Sequence, residues 1–202
     1  MDWGELASEE SIAKTVAALN ANGINTIVVQ TGEEAKNKVL EMIPKGAEVS
    51  TASSTTMIQI GLMKELNESG NYNSIRAKLM DMDRNAQKRE MVKTAAAPEW
   101  MLGSVHAVTE DGKVLTASAS GSQLPGYAYT AEHVIWLVST QKIVKDFDQA
   151  VKRIYEHVLP LESQRAMGVY GFSSNVSKLL MIAKESVPNR ITMILIKEKL
   201  GF

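Results

Sequence analysis

Residues 51–56, Thr51-Ala52-Ser53-Ser54-Thr55-Thr56, bring hydroxyls close together where a short apolar run gives way to a helical pattern. Hydroxyls and unpaired backbone N–H groups at such a junction can hold a phosphate, carboxylate or other small anion, with Ser54 and Thr56 as the candidate contacts. Ser53 or Ser54 would equally serve as a simple helix cap. A second segment, residues 103–123, reads as two β-rich runs, Val105–Thr109 and Lys113–Ala117, joined by Glu110-Asp111-Gly112. Asp-Gly between such runs signals a hairpin, because glycine tolerates the positive φ of a tight turn. At this strand end Glu110 is the candidate nucleophile or acid–base carboxylate, while Asp111 and Gly112 serve the turn and could contact a ligand. His106, four residues upstream at the same strand parity, is a candidate proton carrier or a packed structural histidine. The second run empties into Ser118–Gln123, where Gly121, Ser122 and Gln123 are candidate ligand contacts. Arg165 and Arg84 are the cations that could grip a carboxylate, or else surface ion-pair partners.

Composition narrows the chemistry. Of 202 residues, 45% are hydrophobic and 22% charged, as in an ordinary globular chain with a sizeable core. A net charge of −1 speaks against a nucleic-acid footprint or a basic membrane-binding face. The chain has no cysteine, which excludes disulfides, thiolate metal sites, cysteine-ligated Fe–S clusters and cysteine nucleophiles. His133 and His157 have no ligand-like neighbours in sequence, so no metal site is expected. Neither Gly-x-Gly-x-x-Gly nor a Walker sequence occurs, which argues against a dinucleotide or P-loop nucleotide. The 11 methionines fall at scattered apolar positions and read as core filler. The first residues lack the apolar core of a signal peptide and no apolar run approaches bilayer length; a cytoplasmic location is the expectation.

The elements that must position these residues alternate in type. Ser8 to Asn22 reads as a helix capped by Ser8 and stopped by Gly23. Ile24–Gln30 reads as a strand buried on both faces, and Thr31 with Glu34 as a capping box for a helix ending near Ile43. Pro44-Lys45-Gly46 turns into a strand at Ala47–Thr51, and a helix from Ser54 to Glu65 carries Ile58, Leu62 and Leu66 at helical spacing. Asp83–Lys93 is helix-compatible, with Pro98 as its stop. Beyond the hairpin come a strand at Val134–Ser139, helices over Asp146–His157 and Ser173–Ser186, and a final strand at Ile191–Lys197. The order predicts one α/β domain over residues 1–202: an open, mostly parallel, Rossmann-like sheet with helices on both faces and an inserted β-hairpin.

Several blocks, in order, resemble the LUD domain, the lactate-utilisation family within the superfamily of glucosamine-phosphate deaminases, ribose-phosphate isomerases and CoA transferases. Ser54-Thr55-Thr56-Met57-Ile58-Gln59-Ile60-Gly61-Leu62 is similar to the family's Ser-x-Thr-Leu-x-Glu-Ile-Gly-Leu element. Ala107-Val108-Thr109-Glu110-Asp111-Gly112 is similar to its Asn-Ala-Ile-Thr-Glu-Asp-Gly turn, with His106 where the family often has Asn. The run from Val134 ending Lys142-Ile143-Val144 resembles a strand ending Lys-Ile-Val, and Ile194 to Phe202 resembles the terminal strand and Leu-Gly-Phe tail. Ala119-Ser120-Gly121-Ser122-Gln123 stands where the family has Gly-Thr-Gly-Asn-Arg, and Val169–Val187 lacks the cysteine cluster of relatives with the same tail.

The resemblance implies a role in lactate or small-carboxylate metabolism, beside Fe–S-containing partner subunits that supply the redox centres. One alternative is a stand-alone acyl-CoA transferase or sugar-phosphate enzyme using Glu110, for which a CoA ester would be the cofactor-like partner. The other is a module that binds a small anion and catalyses nothing. In each case one pocket is expected at the carboxyl edge of the sheet, lined by Ser54, Thr56, Glu110, Gly121, Ser122 and Gln123, with Arg165 beside it.

Overall fold

Two strands with apolar residues at both parities form the spine: β7 (His133–Ser139) and β10 (Ile191–Ile196), in a computed structural model that describes residues 2–202. Successive side chains of a strand face opposite ways. Val134, Trp136 and Val138 therefore join Ile191, Met193 and Leu195 in one core, while Ile135 and Leu137 join Ile194 and Ile196 in another. The two strands pair in parallel, Ile191 opposite Val134 through Ile196 opposite Ser139. With β1 (Asn25–Val29), β4 (Trp100–Gly103), β2 (Glu48–Thr51) and β3 (Asn73–Ser74) they form an all-parallel sheet in the order β1-β10-β7-β4-β2-β3.

Helix α2 (Gly32–Met42) packs Ala35 and Val39 on one face of this sheet, beside α3 (Thr55–Gln59) and α4 (Leu62–Glu68), which contribute Met57, Leu62 and Leu66. The other face takes Ile12 and Leu19 of α1 (Glu9–Ala21) and a second, smaller sheet. That sheet contains the expected hairpin, β5 (Ala107–Thr109) and β6 (Val114–Ser118), flanked by β8 (Ile143–Val144) and β9 (Lys178–Ile182) in the order β8-β5-β6-β9. Its far side buries Ala107, Leu115, Ala117 and Val144 against Ala150 of α7 (Phe147–Arg153) and Ile154. The mostly parallel α/β architecture read from the sequence holds. The remaining helices are α5 (Ile75–Met80), α6 (Lys88–Ala96) and α8 (Leu159–Tyr170).

The two sheets are continuous through two short connections. From β4 the chain passes through residues 104–106 into β5, and from neighbouring β7 through a 3₁₀ turn at Thr140–Lys142 into β8. β4 and β7 are parallel partners in the large sheet, and β5 and β8 are parallel partners in the small one. A pair of strands thus leaves one sheet and enters the other side by side.

Several boundaries differ from expectation. Ser173–Ser186 is not a helix. Its middle is β9, which lies antiparallel on β6 and satisfies backbone groups along an edge that would otherwise be open. Leu180 and Ile182 face the core while Leu179 and Met181 face out, a period of two that the continuous apolar run conceals. The helix expected over Ser54–Glu65 is broken at Gly61, whose φ of 70° is left-handed, and Ile58 consequently faces solvent. β1 is an edge strand, so its residues are only partly covered rather than buried on both faces. β4, buried at every position, and α8 carry no helical or strand expectation from the sequence.

Candidate functional site

At the carboxyl ends of β2, β4 and β7 a cavity of about 400 Å³ opens between the two sheets and α8. This is the edge at which α/β sheets hold ligands. The loop after β2 contributes Ser53 to Thr56 and the residue after β4 contributes Ser104. The β6 end supplies Ser118 to Ser120, Ser122 and Gln123, and α8 adds Glu162, Arg165 and Tyr170. Ser54, Thr56, His106, Ser122, Gln123 and Arg165 therefore share one cavity, with Gly121 between two lining serines.

Each of these residues is already engaged. Ser54 Oγ accepts from Met57 N at 3.3 Å and caps α3, a helix too short to carry much of a dipole. Thr56 Oγ1 donates to Leu200 O at 3.5 Å. Ser118 Oγ donates to Gln123 Oε1 at 2.9 Å and accepts from Gly121 N at 2.8 Å, closing the serine-rich loop. Arg165 donates twice to Glu162, at 2.7 Å each, and lies against Tyr170. Its charge is spent within α8. Arg84 is not among the lining residues, whereas Arg76 of α5 lines the cavity and forms no ion pair among the described residues.

The acidic turn lies elsewhere. His106 precedes β5 at the cavity, and Glu110 follows its far end; four residues of extended chain span roughly 13 Å. Glu110 lines a separate cavity of about 280 Å³ near the amino-terminal segment. There it accepts from Ser11 Oγ and Lys14 Nζ, both at 2.8 Å, and these donors hold its carboxyl below the ordinary range. Asp111 accepts from Thr109 and Lys113 in the turn. Gly112, at φ 81°, packs so closely on α1 that a Cβ would stand 2.9 Å from the Ala18 carbonyl carbon. The three residues form a clasp between hairpin and α1, outside the larger cavity.

His106 is in the cavity wall, but Nδ1 accepts from Ala117 N at 3.0 Å. Burial, then the charges of Lys142 and Arg153, push its pKa down to about 3. With Nδ1 taken by a backbone donor and protonation disfavoured by burial, the geometry gives no support to the expected proton-carrier role.

Lys142 is the group that sequence reasoning passed over. It ends the 3₁₀ turn after β7, is 3% exposed, and donates from Nζ to Ser104 Oγ at 3.0 Å. Among the described residues no carboxylate pairs with it. Burial, reinforced by the Arg153 guanidinium, pushes its pKa down to about 7. Arg153 is likewise buried without a carboxylate and donates to the carbonyls of His106, at 2.6 Å, and Trp3, at 3.4 Å. Burial lowers it only to about 10, so it keeps its proton. The cavity floor is therefore electropositive, with an amine that is half neutral near pH 7.

Two glycines shape this floor. A Cβ at Gly103 would overlap the Tyr127 hydroxyl, which donates to Ser104 O at 3.4 Å. A Cβ at Gly201, whose φ is 66°, would lie 2.5 Å from Thr56 Oγ1 and 3.4 Å from both Thr56 N and Lys142 Nζ. Only a glycine fits where the tail packs this closely against Thr56 and Lys142. Gln141 Nε2 fixes the segment by donating to Leu200 O and Gly201 O, each at 3.1 Å. The sequence signal for Lys142 was its place in the Lys142-Ile143-Val144 block, after the apolar run Val134–Val138 and the polar Ser139-Thr140-Gln141.

The family model of the LUD domain matches residues 12–199. Among solved structures, the chain is similar to a DUF162 family protein from Deinococcus radiodurans, with 11% identity and a TM-score of 0.58. That match covers 95% of this chain and 99% of the other, and at such identity it shows the fold alone. A fainter likeness, to eIF2B beta from Chaetomium thermophilum, has 13% identity and a TM-score of 0.41. It covers 69% of this chain and 48% of that one and carries no argument. No curated protein matches.

Proposed function

This chain belongs to the LUD domain family, and from that premise we propose that it binds a small carboxylate of the 2-hydroxy-acid kind between the two sheets, in lactate-linked metabolism. The observation that carries the reading is Lys142, a buried amine in a cavity wall with no carboxylate partner among the described residues. A buried ammonium without a counter-charge is costly, and a ligand carboxylate beside it would remove that cost. Thr56 lines the same cavity, and Arg76 adds positive charge to its wall.

The experiment is a thermal-shift screen of lactate, other hydroxy acids, sugar phosphates and CoA esters. Lactate or a close hydroxy acid should raise the melting temperature, and Lys142→Met should abolish the shift. A panel without any carboxylate-dependent shift would overturn the proposal. Because the chain has no cysteine, oxidation of such a ligand would draw on redox centres in partner subunits. Co-purification from native extract tests this; recovery of the free chain alone, with expression indifferent to carbon source, counts against it. A transferase reaction through Glu110 has no geometric support, since that carboxylate opens on a different cavity.

A further inference from the structure

We infer that Ser104 and Lys142 form a nucleophile–base pair that deacylates a short-chain ester or thioester bound in the cavity. This deepens the carboxylate-binding reading and rests on it, because the carboxylate held there would be the product of the reaction. The geometry is direct. Ser104 follows the carboxyl end of the central strand β4, lines the cavity, and has its Oγ 3.0 Å from Lys142 Nζ. A serine hydroxyl is a weak nucleophile until a neighbouring base takes its proton, and a lysine can be that base only when it is neutral.

Burial keeps a large share of the Lys142 amine neutral near pH 7. The charged or titratable groups coupled to it are Arg153 of α7, His106 before β5, and His157 in the turn between α7 and α8. None is a carboxylate that would draw the proton back. Arg76, Glu162 and Arg165 also line the cavity, the last two satisfied by each other. Ser104 Oγ donates to Val105 O at 3.4 Å while it accepts from Lys142, and in the state that reacts its hydrogen turns from that carbonyl to the neutral amine. Its backbone is fixed by Tyr127, whose hydroxyl donates to the Ser104 carbonyl at 3.4 Å.

The step balances within these groups and water. Ser104 Oγ bonds to the acyl carbon while its proton passes to Lys142 Nζ. The carbon–oxygen or carbon–sulfur bond then breaks, and the ammonium returns that proton to the leaving alkoxide or thiolate. Water attacks the acyl-serine, again giving its proton to Lys142. A carboxylate is released, one proton goes to solvent, and Ser104 recovers its hydroxyl hydrogen. The hydroxyl-rich wall from Ser53 to Thr56 would supply the donors for the tetrahedral oxygen.

The test treats the full chain with p-nitrophenyl acetate as the ester probe and an acetyl thioester of N-acetylcysteamine as the thioester probe, with peptide mapping of the acyl group. Acetyl on Ser104 from either probe supports the pair, and the more reactive probe names the leaving-group class. The rate should rise with pH through about 7 and fall by about 10²-fold or more in Lys142→Met. Ser104→Ala should end acylation while keeping the lactate-induced thermal shift, which separates this inference from the binding reading. No acetyl on Ser104, acetyl on Lys142 instead, or a rate that Lys142→Met leaves unchanged would overturn it.

Discussion

Replacing Lys142 with methionine is expected to stabilise the unliganded protein, by an amount set by pH. The amine has a folded-state pKa of about 7 against an ordinary 10.5. Between those values the unfolded chain binds a proton that the folded chain rejects, so wild-type stability climbs with pH across the window. Below it the penalty is at full height. At 3% exposure solvent screens little of this effect. Linkage puts the penalty at about 5 kcal/mol near pH 6 and about 2 kcal/mol near pH 9. Methionine has a similar linear shape and no charge, but it forfeits the hydrogen bond to Ser104, about 1 kcal/mol. The variant should therefore gain about 4 kcal/mol near pH 6 and about 1 kcal/mol near pH 9. Urea unfolding of both proteins across this range gives the difference directly, since groups common to the two cancel. A variant no more stable than wild type near pH 6, or a gain that does not shrink toward pH 9, would refute the reasoning.

Arg190→Met should cost about 3–5 kcal/mol in urea unfolding, because it strands the buried Glu185 and frees the carbonyls of Gly126, Tyr127 and Ala131; a loss below about 1 kcal/mol would show that clamp to be idle. Gly103→Ala drives a methyl into the Tyr127 hydroxyl and should cost about 1–3 kcal/mol, with altered Trp136 fluorescence because Tyr127 packs edge-on against that indole. An unchanged melting temperature and spectrum would contradict it. Glu110→Gln should change stability at neutral pH by no more than about 1 kcal/mol and leave any lactate-induced shift intact. The Glu110 contribution is present above its unfolded pKa and fades as pH falls through the lowered folded value, so wild type and variant should converge in acid.

What could be read from the residues follows the range of the interactions involved. Caps are local: Ser8 and Thr31 accept from Ser11 N and Glu34 N as expected, and the Asp-Gly turn forms where it was placed. β7 and β10 were legible because strands buried on both faces need apolar residues at both parities. β9 was not, since five residues of Lys-Leu-Leu-Met-Ile fit either period and only the distant edge of β6 decides between them. Residues of the hydroxyl segments 51–56 and 118–123 line one cavity, because both follow strands that end at the same edge. Glu110 lies away from the expected pocket because β5 starts at the carboxyl edge of the large sheet and runs away from it, a direction that hairpin spacing alone does not reveal. Lys142 is hidden by its setting: a lysine after Ser139-Thr140-Gln141 reads as an exposed turn residue, and only the fold shows it buried with no carboxylate partner among the described residues.

Ser104 and Lys142 occupy the two connections that carry neighbouring strands from the large sheet into the small one. Their separation is thus governed chiefly by chain length and strand pairing on both sides, with Tyr127 holding the Ser104 backbone as a local support. Side-chain substitution around the cavity can proceed without pulling the two apart, which leaves ligand preference free to drift over a constant pair. Changes of length are another matter. Adding or deleting one residue in either connection would turn every following side chain of β5 or β8 to the opposite face. This part of the molecule is accordingly permissive to mutation and intolerant of insertion, the reverse of an ordinary surface loop.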